Sequence, residues 1–250
     1  MSRALIGTSG WDYYHWRGIF YPEDLGSKDL FSYYSRYFST VEINSSFYHL
    51  PRETTFINWY TKAPKDFLFS VKVWRRITHL KKLKAVEDDL KTFYQRSKAL
   101  KDKLGPLLFQ FPPSFNANEA TIKRLEKISK FIRENSCFDS RQSVAFEFRH
   151  QSWFSEKIYK ILKKYNFALC WADTPYYPYQ EVVTADYVYF RLHGHEKLYA
   201  SKYTDKQLKD CADKIKKLIK NKKTVYCYFD NDACGYAIEN ALTLKKLLKN

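Results

Sequence analysis

The segment Ala145-Phe-Glu-Phe-Arg149 decides the fold of this chain, because it has the pattern of a strand with two different faces. Alternate residues of a β-strand lie on the same side, so Glu147 and Arg149 point one way while Phe146 and Phe148 point the other. A strand that is apolar towards covering helices and charged on its other face is typical of a barrel with a polar mouth. The segment therefore predicts both an architecture and the place where the protein works.

A second segment, Tyr187-Val-Tyr-Phe-Arg-Leu-His193, repeats the pattern, with Arg191 and His193 on one face. Further short runs are rich in aromatic or β-branched residues and end at turns or polar residues, which is the signature of strands. The complete set of expected strands is Ala4–Ser9, Thr40–Ser45, Phe67–Val73, Leu107–Phe111, Ser143–Arg149, Phe167–Ala172, Tyr187–His193 and Thr224–Asp230.

Helical patterns lie between most of these strands. They cover residues 28–38, 53–62, 87–103, 118–135, 155–164, 204–220 and 234–249, and only residues 174–186 lack one. Alternating strands and helices indicate parallel pairing with right-handed crossovers. Eight such units in 250 residues predict a single-domain α/β protein, a (β/α)8 TIM-type barrel over residues 1–250. An open doubly wound sheet is the alternative, but it would usually have fewer strands.

The chain is strongly basic, since 43 Lys and Arg against 27 Asp and Glu give a net charge of +16. Such an excess favours polyanions, and nucleic acid in particular. The alternative is that the lysines form the solvated faces of amphipathic helices, as the pattern of residues 209–220 indicates. Charge alone therefore does not identify a nucleic-acid-binding protein.

Composition also predicts the compartment. No apolar run is long enough to cross a membrane. The first residues lack the basic region, long apolar stretch and cleavage site of a secretory leader, so we expect no secretion. The five cysteines form no C-x-x-C pair, which argues against a disulfide framework or a zinc ribbon. Cys170 and Cys227 lie in apolar runs and are expected to be buried thiols. We expect a cytoplasmic protein without membrane contact, and the sequence indicates no oligomeric state.

Polar residues at the carboxyl ends of the strands predict the site, because barrel enzymes place their active sites there. The residues expected to carry out the chemistry are Glu42, Lys72, Glu147, Asp173 and His193. Those expected to bind the substrate are Trp11, Asn44, Tyr48, Gln110, Arg149, His150, Trp153, Arg191, Asn231 and Asp232. Cations interleaved with aromatic rings favour a nucleotide or another phosphate-bearing ligand.

The acids of this set, together with His193, are residue types that also bind divalent metals. The cations Lys72, Arg149 and Arg191 match the acids Glu42, Glu147 and Asp173 one for one. That balance favours an internal salt-bridge network over a metal. We therefore predict no cofactor, with a divalent metal as the alternative.

Three other kinds of chemistry fit the same residues. Lys72 could form a Schiff base with a carbonyl substrate, although buried lysines more often pair with a carboxylate. Glu147 and His193 could act as general base and acid if burial moves their pKa values towards neutrality. Glu42 and Glu147 could also serve as the carboxylate pair of a glycoside hydrolase.

The polar strand ends carry a resemblance to a known family. The matching segments include Gly7-Thr-Ser-Gly-Trp11, Thr40-Val-Glu-Ile-Asn-Ser-Ser-Phe-Tyr48, Leu108-Phe-Gln-Phe-Pro-Pro113, Phe146-Glu-Phe-Arg-His150, Arg191-Leu-His-Gly194 and Tyr228-Phe-Asp-Asn-Asp232. They follow one another in order along nearly the whole chain and resemble the YecE-like family, catalogued as domain of unknown function 72. The resemblance implies a TIM-type barrel, in agreement with the strand count, and it assigns no reaction.

These observations predict an enzyme, a hydrolase or a lyase or isomerase, acting on a phosphorylated or nucleic-acid substrate. Its site would be a polar pocket at the carboxyl-terminal face of the barrel. The alternative is a non-catalytic nucleic-acid-binding module. It would use a basic surface that includes Arg75, Arg76 and Lys81 in the loop after the third strand.

Overall fold

Eight parallel strands form one curved sheet in the computed structural model, which describes residues 3–249. The strands are β1 (Ala4–Thr8), β2 (Thr40–Ile43), β3 (Leu68–Lys72), β4 (Leu104–Gln110), β5 (Val144–Glu147), β6 (Ala168–Asp173), β7 (Tyr187–Leu192) and β8 (Thr224–Phe229). They follow the order β1-β8-β7-β6-β5-β4-β3-β2, so neighbours in sequence are neighbours in the sheet and β1 pairs with β8. The predicted TIM-type barrel is therefore confirmed.

Helices cover the outside of this barrel. They are α1 (Leu30–Tyr37), α2 (Ser45–Tyr48), α3 (Glu53–Lys62), α4 (Glu87–Ser97), α5 (Glu119–Glu134), α6 (Glu156–Lys164), α7 (Asp205–Lys220) and α8 (Tyr236–Lys249). Residues 174–186 form no helix, as predicted. The helix expected over residues 87–103 is wrong at its end, because a 3-10 segment (Lys98–Lys103) follows α4. Within it Lys101 has a φ of 49°, which a right-handed helix does not accept.

Side chains alternate between the lumen and the helices, as the strand patterns predict. On β8, Tyr228 belongs to the inner cluster while Cys227 and Phe229 belong to the outer core. Small residues such as Ala145 and Cys170 share the lumen with the tyrosines. The upper lumen is polar, and that part of the barrel leads to the carboxyl ends of the strands.

The barrel closes between β1 and β2 through an unusual seam. Ser9 and Glu42 form an isolated parallel bridge just above the ends of the two strands. Below it, the Tyr34 hydroxyl of α1 accepts from the Thr8 amide (3.0 Å) and donates to the Thr40 carbonyl (3.1 Å). A side chain thus satisfies backbone groups that a continuous ladder would otherwise pair.

The structure also bears on the burial of two cysteines and on the length of the apolar helices, which were both considered from composition. Cys170 and Cys227 are buried thiols, as predicted. No helix within residues 3–249 combines the length and the apolar character needed to cross a membrane.

Candidate active site

Arg191 lies at the centre of the barrel mouth and its side chain is fully buried. Its Nη2 donates to Glu42 Oε1 (2.7 Å) and to Asp230 Oδ2 (3.0 Å). Its Nη1 donates to Glu147 Oε2 (2.7 Å). We call these four residues the Arg191 network; they bring together β2, β5, β7 and the end of β8.

The network keeps Glu147 and Asp230 ionised. Burial is the largest single influence and would raise the pKa of Glu147, but Arg191, Arg149 and His193 together outweigh it and hold that pKa well below its usual value. Burial would likewise raise the pKa of Asp230, but Arg191 and His193 lower it, and the resulting pKa is below its usual value. A carboxylate held in this state is a poor proton acceptor near neutral pH.

Glu147 is fixed from two further directions. Its Oε1 accepts from Gln110 Nε2 (2.8 Å) and from Arg149 Nε (2.9 Å). The contact to Arg149 confirms that the two residues share a face, although β5 ends at Glu147. Glu147 thus positions both Arg149 and Arg191.

His193 lies beside the network and is fully buried. Arginine can only donate, so Arg191 Nη1 donates to His193 Nε2 (3.1 Å), and in the neutral ring the proton is on Nδ1. That Nδ1 lies 3.0 Å from Asp230 Oδ2, at angles outside those of a hydrogen bond. His193 therefore retains a donor that a ligand or a small rotation could engage.

Lys72, the last residue of β3, has an almost buried side chain without a hydrogen-bonding partner. Only 9% of the residue is exposed. Within residues 3–249 its Nζ makes neither a hydrogen bond nor an ion pair, and it lies 4.3 Å from the centre of the Phe47 ring. Burial first, and then the charge of Arg191, lower the pKa of Lys72 to about 8.

Arg149 forms the outer edge of the same region. Its Nη2 donates to the Tyr199 hydroxyl (3.1 Å), and its guanidinium stacks over Tyr177 at 4.6 Å. The nearby His79 reports the local charge. Burial, followed by the charges of Lys72 and Arg149, lowers the pKa of His79 to about 4. Lys72 and Arg149 thus both place positive charge near His79, on the side of β3.

The alternative prediction, a divalent metal, requires the predicted acids to lie together. Asp173 does not join Glu42 and Glu147; it pairs with His195 (3.1 Å) in a separate cleft of about 160 Å³ against α7. The place where the predicted acids converge holds the guanidinium of Arg191. Among the residues described, no three His, Cys, Asp or Glu side chains are grouped to hold a metal ion.

Comparison with known proteins places the barrel in a family. Residues 5–250 match the family described as "Protein of unknown function DUF72". The chain belongs to the DUF72 family.

Several DUF72 relatives resemble it over different lengths. The UPF0759 protein YunF of Bacillus subtilis (strain 168) is 25% identical over 274 aligned positions, which cover 97% of this chain and 94% of YunF. The UPF0759 protein YecE of Escherichia coli (strain K12) is 30% identical over 86 residues, or 34% of this chain and 32% of YecE. A solved DUF72 structure from Thermotoga maritima has a TM-score of 0.86 at 31% identity and covers 99% of both chains. These relatives support the barrel and name no reaction.

A side cleft of this DUF72 chain collects three of the predicted substrate-binding residues. It has a volume of about 480 Å³ and is lined by Trp11, Asn44 and Tyr48 together with Trp59 and Lys62. The Asn44 Oδ1 atom is buried without a hydrogen-bond partner. The amide could therefore contact a ligand in the cleft at no loss of an internal bond.

Other predicted substrate-binding residues lie in packed positions. Trp153 is fully buried, stacks on Phe148 at 4.5 Å and donates to the Phe115 carbonyl (2.6 Å). Asn231 is also buried and donates to Asn240 Oδ1 (2.9 Å). Both side chains donate hydrogen bonds that hold loops in place, and the Asn231 Oδ1 atom is buried without a hydrogen-bond partner.

His150 and Asp232 also have internal partners. The His150 ring accepts from the Ser152 amide at the start of a short 3-10 turn (Gln151–Trp153). Asp232 Oδ1 accepts from Trp16 Nε1 (2.6 Å), and burial raises the pKa of Asp232 to about 6. These internal contacts account for His150 and Asp232 at the strand ends, and no ligand is needed to explain them.

The basic loop after β3 is partly neutralised within the chain. Asp89 of α4 accepts from Arg76 Nε (3.0 Å) and pairs with Lys81 Nζ (2.5 Å). Arg75, at the start of a π-helical turn (Arg76–Leu80), is exposed. Only part of the predicted cationic surface therefore remains available to a polyanion.

Sequence reasoning missed several residues of the mouth. Asp230 belongs to the Arg191 network, and the hydroxyls of Ser9 and Tyr189 donate to Glu42 (2.6 and 2.7 Å). Strand alternation was a usable signal for two of them, because Tyr189 precedes Arg191 by two positions and Asp230 follows Tyr228 by two. For Ser9 the sequence holds no comparable signal.

Proposed function

We propose that this protein is an enzyme that acts on a phosphate-bearing substrate at the carboxyl-terminal mouth of its barrel. The observation that carries the proposal is that Lys72 and Arg149 keep bonding capacity while Arg191 does not. Lys72 Nζ has no hydrogen bond, and Arg149 Nη1 has none within the described chain. Two cations with free donors, both close enough for their charges to act on His79, match the oxygens of a phosphate group.

The charges around these cations favour the same ligand. Arg191 is surrounded by Glu42, Glu147 and Asp230, so its charge is already compensated. The lowered pKa of His79 reflects burial and the positive charges of Lys72 and Arg149. An anion bound there would be attracted by both cations in a region of low dielectric.

We assign proton transfer to His193, with Asp230 as the carboxylate that orients its ring. The Nδ1 of His193 faces Asp230 at 3.0 Å, and Asp230 remains an anion that can orient a protonated ring. Glu147 and Gln110 act as positioning residues for Arg149, since both are engaged within the network. Asp173 lies outside this arrangement.

The binding part of the proposal is tested by isothermal titration calorimetry with inorganic pyrophosphate. The variants Lys72→Met and Arg149→Leu should each weaken binding by about tenfold or more, because each removes a charge-assisted hydrogen bond. The matched controls Arg76→Gln and Lys81→Gln remove cations that pair with Asp89 and should leave the affinity unchanged. If the controls weaken binding and the mouth variants do not, the basic loop is the anion site and the proposal is wrong.

The catalytic part needs a separate readout. Phosphorus NMR of the full chain with sugar phosphates, nucleotides and oligonucleotides should reveal turnover of at least one of them. His193→Gln should abolish that turnover with little change in pyrophosphate affinity. Binding without turnover across the whole panel would instead favour the non-catalytic module.

A further inference from the structure

The chain contains a pair of buried lysines that differ in one respect. Lys103 is 7% exposed and donates to the Tyr60 and Ala63 carbonyls (2.8 and 2.7 Å). Lys72 is similarly buried, at 9% exposed, but donates to no atom of the described chain. A buried ammonium without acceptors is costly; Lys103 has two carbonyl acceptors, whereas Lys72 has none and its pKa is lowered to about 8.

The surroundings of Lys72 strengthen this contrast. One side of its Nζ is covered by the Phe47 ring, whose edge also contacts His79 with ring centres 4.8 Å apart. The groups whose charges act on Lys72 are Arg191, Asp230, Glu42 and Glu147, and none of the three acids lies close enough for an ion pair. The Ser46 hydroxyl donates to the backbone carbonyl of Lys72 (2.6 Å), which fixes the end of β3 but leaves the amine free.

We propose that Lys72 is a nucleophile that forms an imine with an aldehyde or ketone substrate. The proposal rests on the proposed function: Arg149 would hold the phosphate of the same molecule, and Lys72, which as a cation attracts that phosphate, would attack the carbonyl group as the neutral amine. A lysine that is desolvated and close to another cation is the form of this residue that attacks carbonyl groups. The substrate class is therefore a phosphorylated carbonyl compound.

The step balances with the groups present. The amine lone pair attacks the carbonyl carbon, and the π electrons move to the oxygen, which takes up a proton. The resulting hydroxyl leaves as water after a second protonation, while the nitrogen loses one of its original protons and keeps the other. The product is a protonated imine, and no oxidant or reductant is consumed.

Reductive trapping tests this inference. The full chain is incubated at pH 7 with glyceraldehyde 3-phosphate and sodium cyanoborohydride, and the modified lysines are located by peptide mass spectrometry. A lysine with a pKa of about 8 has roughly three hundredfold more neutral amine at pH 7 than one with the ordinary value of 10.5. We expect Lys72 to be labelled at least about tenfold more than Lys103 or any exposed lysine, and Lys72→Arg to lose only that label.

The controls separate this inference from the proposed function. Unphosphorylated glyceraldehyde should label Lys72 less than the phosphorylated compound does, and pyrophosphate should protect Lys72. Equal labelling of Lys72 by both aldehydes would support imine formation and contradict the phosphate site. Pyrophosphate binding with Lys72 labelled no more than Lys103 would retain the phosphate site and overturn the imine. Because the comparison is made within the wild-type chain, it stands even if Lys72→Arg folds poorly.

Discussion

The guanidinium of Arg191 compensates the carboxylates of Glu42, Glu147 and Asp230 without reaching water. Each of those carboxylates is buried or nearly so, and Arg191 is the cation that all three share. Removing one partner of a buried charge group leaves the others unpaired, which costs much more than the pair gains. The same side chain therefore both holds the mouth together and sets the charge that Lys72 and His193 experience.

We expect Arg191→Met to lower the free energy of unfolding by about 3–5 kcal/mol, measured by urea denaturation at pH 7. Arg141→Met is the control, because the Arg141 side chain is 91% exposed and its contact with Asp139 is 3.7 Å long. That control should change stability by no more than about 0.5 kcal/mol. Equal small effects of both substitutions would show that the network does not stabilise the fold.

The sequence could predict which strand ends are polar, but only partly which ones meet. Alternation correctly placed Glu147 with Arg149, because both belong to one segment. The same rule applied to β6 puts Asp173 with Trp171 on the outer face, opposite Ala172 in the lumen. The contact between Glu42 and Arg191 joins positions 149 residues apart, and no local pattern measures that distance.

Among the elements, the seam between β1 and β2 is where the barrel is most tightly constrained. A Cβ atom at Gly7 would lie 2.3 Å from the Thr40 carbonyl oxygen and 3.1 Å from the Tyr34 hydroxyl. Backbone atoms cannot move aside as a flexible side chain can. The absence of a side chain at Gly7 thus lets Tyr34 and β2 approach β1.

Gly7→Ala should therefore destabilise the protein by about 2 kcal/mol or more through forced separation of the strands. Gly26→Ala is a suitable control, since its Cβ would meet only a carboxylate oxygen of Asp29, at 3.3 Å. Hydrogen exchange should show faster exchange of the Thr8 amide in Gly7→Ala and no change in the control. Unaltered exchange at Thr8 in both variants would contradict this account of the seam.

The ends of a helix or strand could be predicted from the sequence where the hydrophobic periodicity and the turn residues indicate the same positions. Residues 53–62 were predicted as a helix and form α3 without change. The start of β4 was missed because Gly105 and Pro106 are typical of a turn, yet the strand begins at Leu104. There its pairing with β3 shifts register, an irregularity that accommodates the glycine and proline and that composition does not reveal.

For the molecule as a whole, the buried carboxylates predict how stability depends on pH. The pKa values of Glu147 and Asp230 are lowered by folding, so their contribution is present above the unfolded-state values of 4.5 and 3.8. It is lost as pH falls through the lower folded-state values. Stability should therefore decrease with acidification below a pH of about 4.5.

The variant Glu147→Gln tests whether Glu147 contributes to this loss of stability in acid. It should be less stable than the wild type at pH 7, because Arg191 and Arg149 lose a partner, and its stability should fall less steeply in acid. Thermal unfolding followed by circular dichroism between neutral and acidic pH gives both quantities. Parallel curves for the two proteins would mean that Glu147 does not contribute to the acid transition.

The central claim is that the mouth, and not the basic exterior that accompanies a net charge of +16, is where an anionic substrate binds. A crystal structure of the protein soaked with inorganic pyrophosphate tests this most directly. We predict an anion within hydrogen-bond distance of Lys72 Nζ and Arg149 Nη1. Anions confined to exposed lysines, or to Arg75 and its loop, with none between Lys72 and Arg149, would contradict the account.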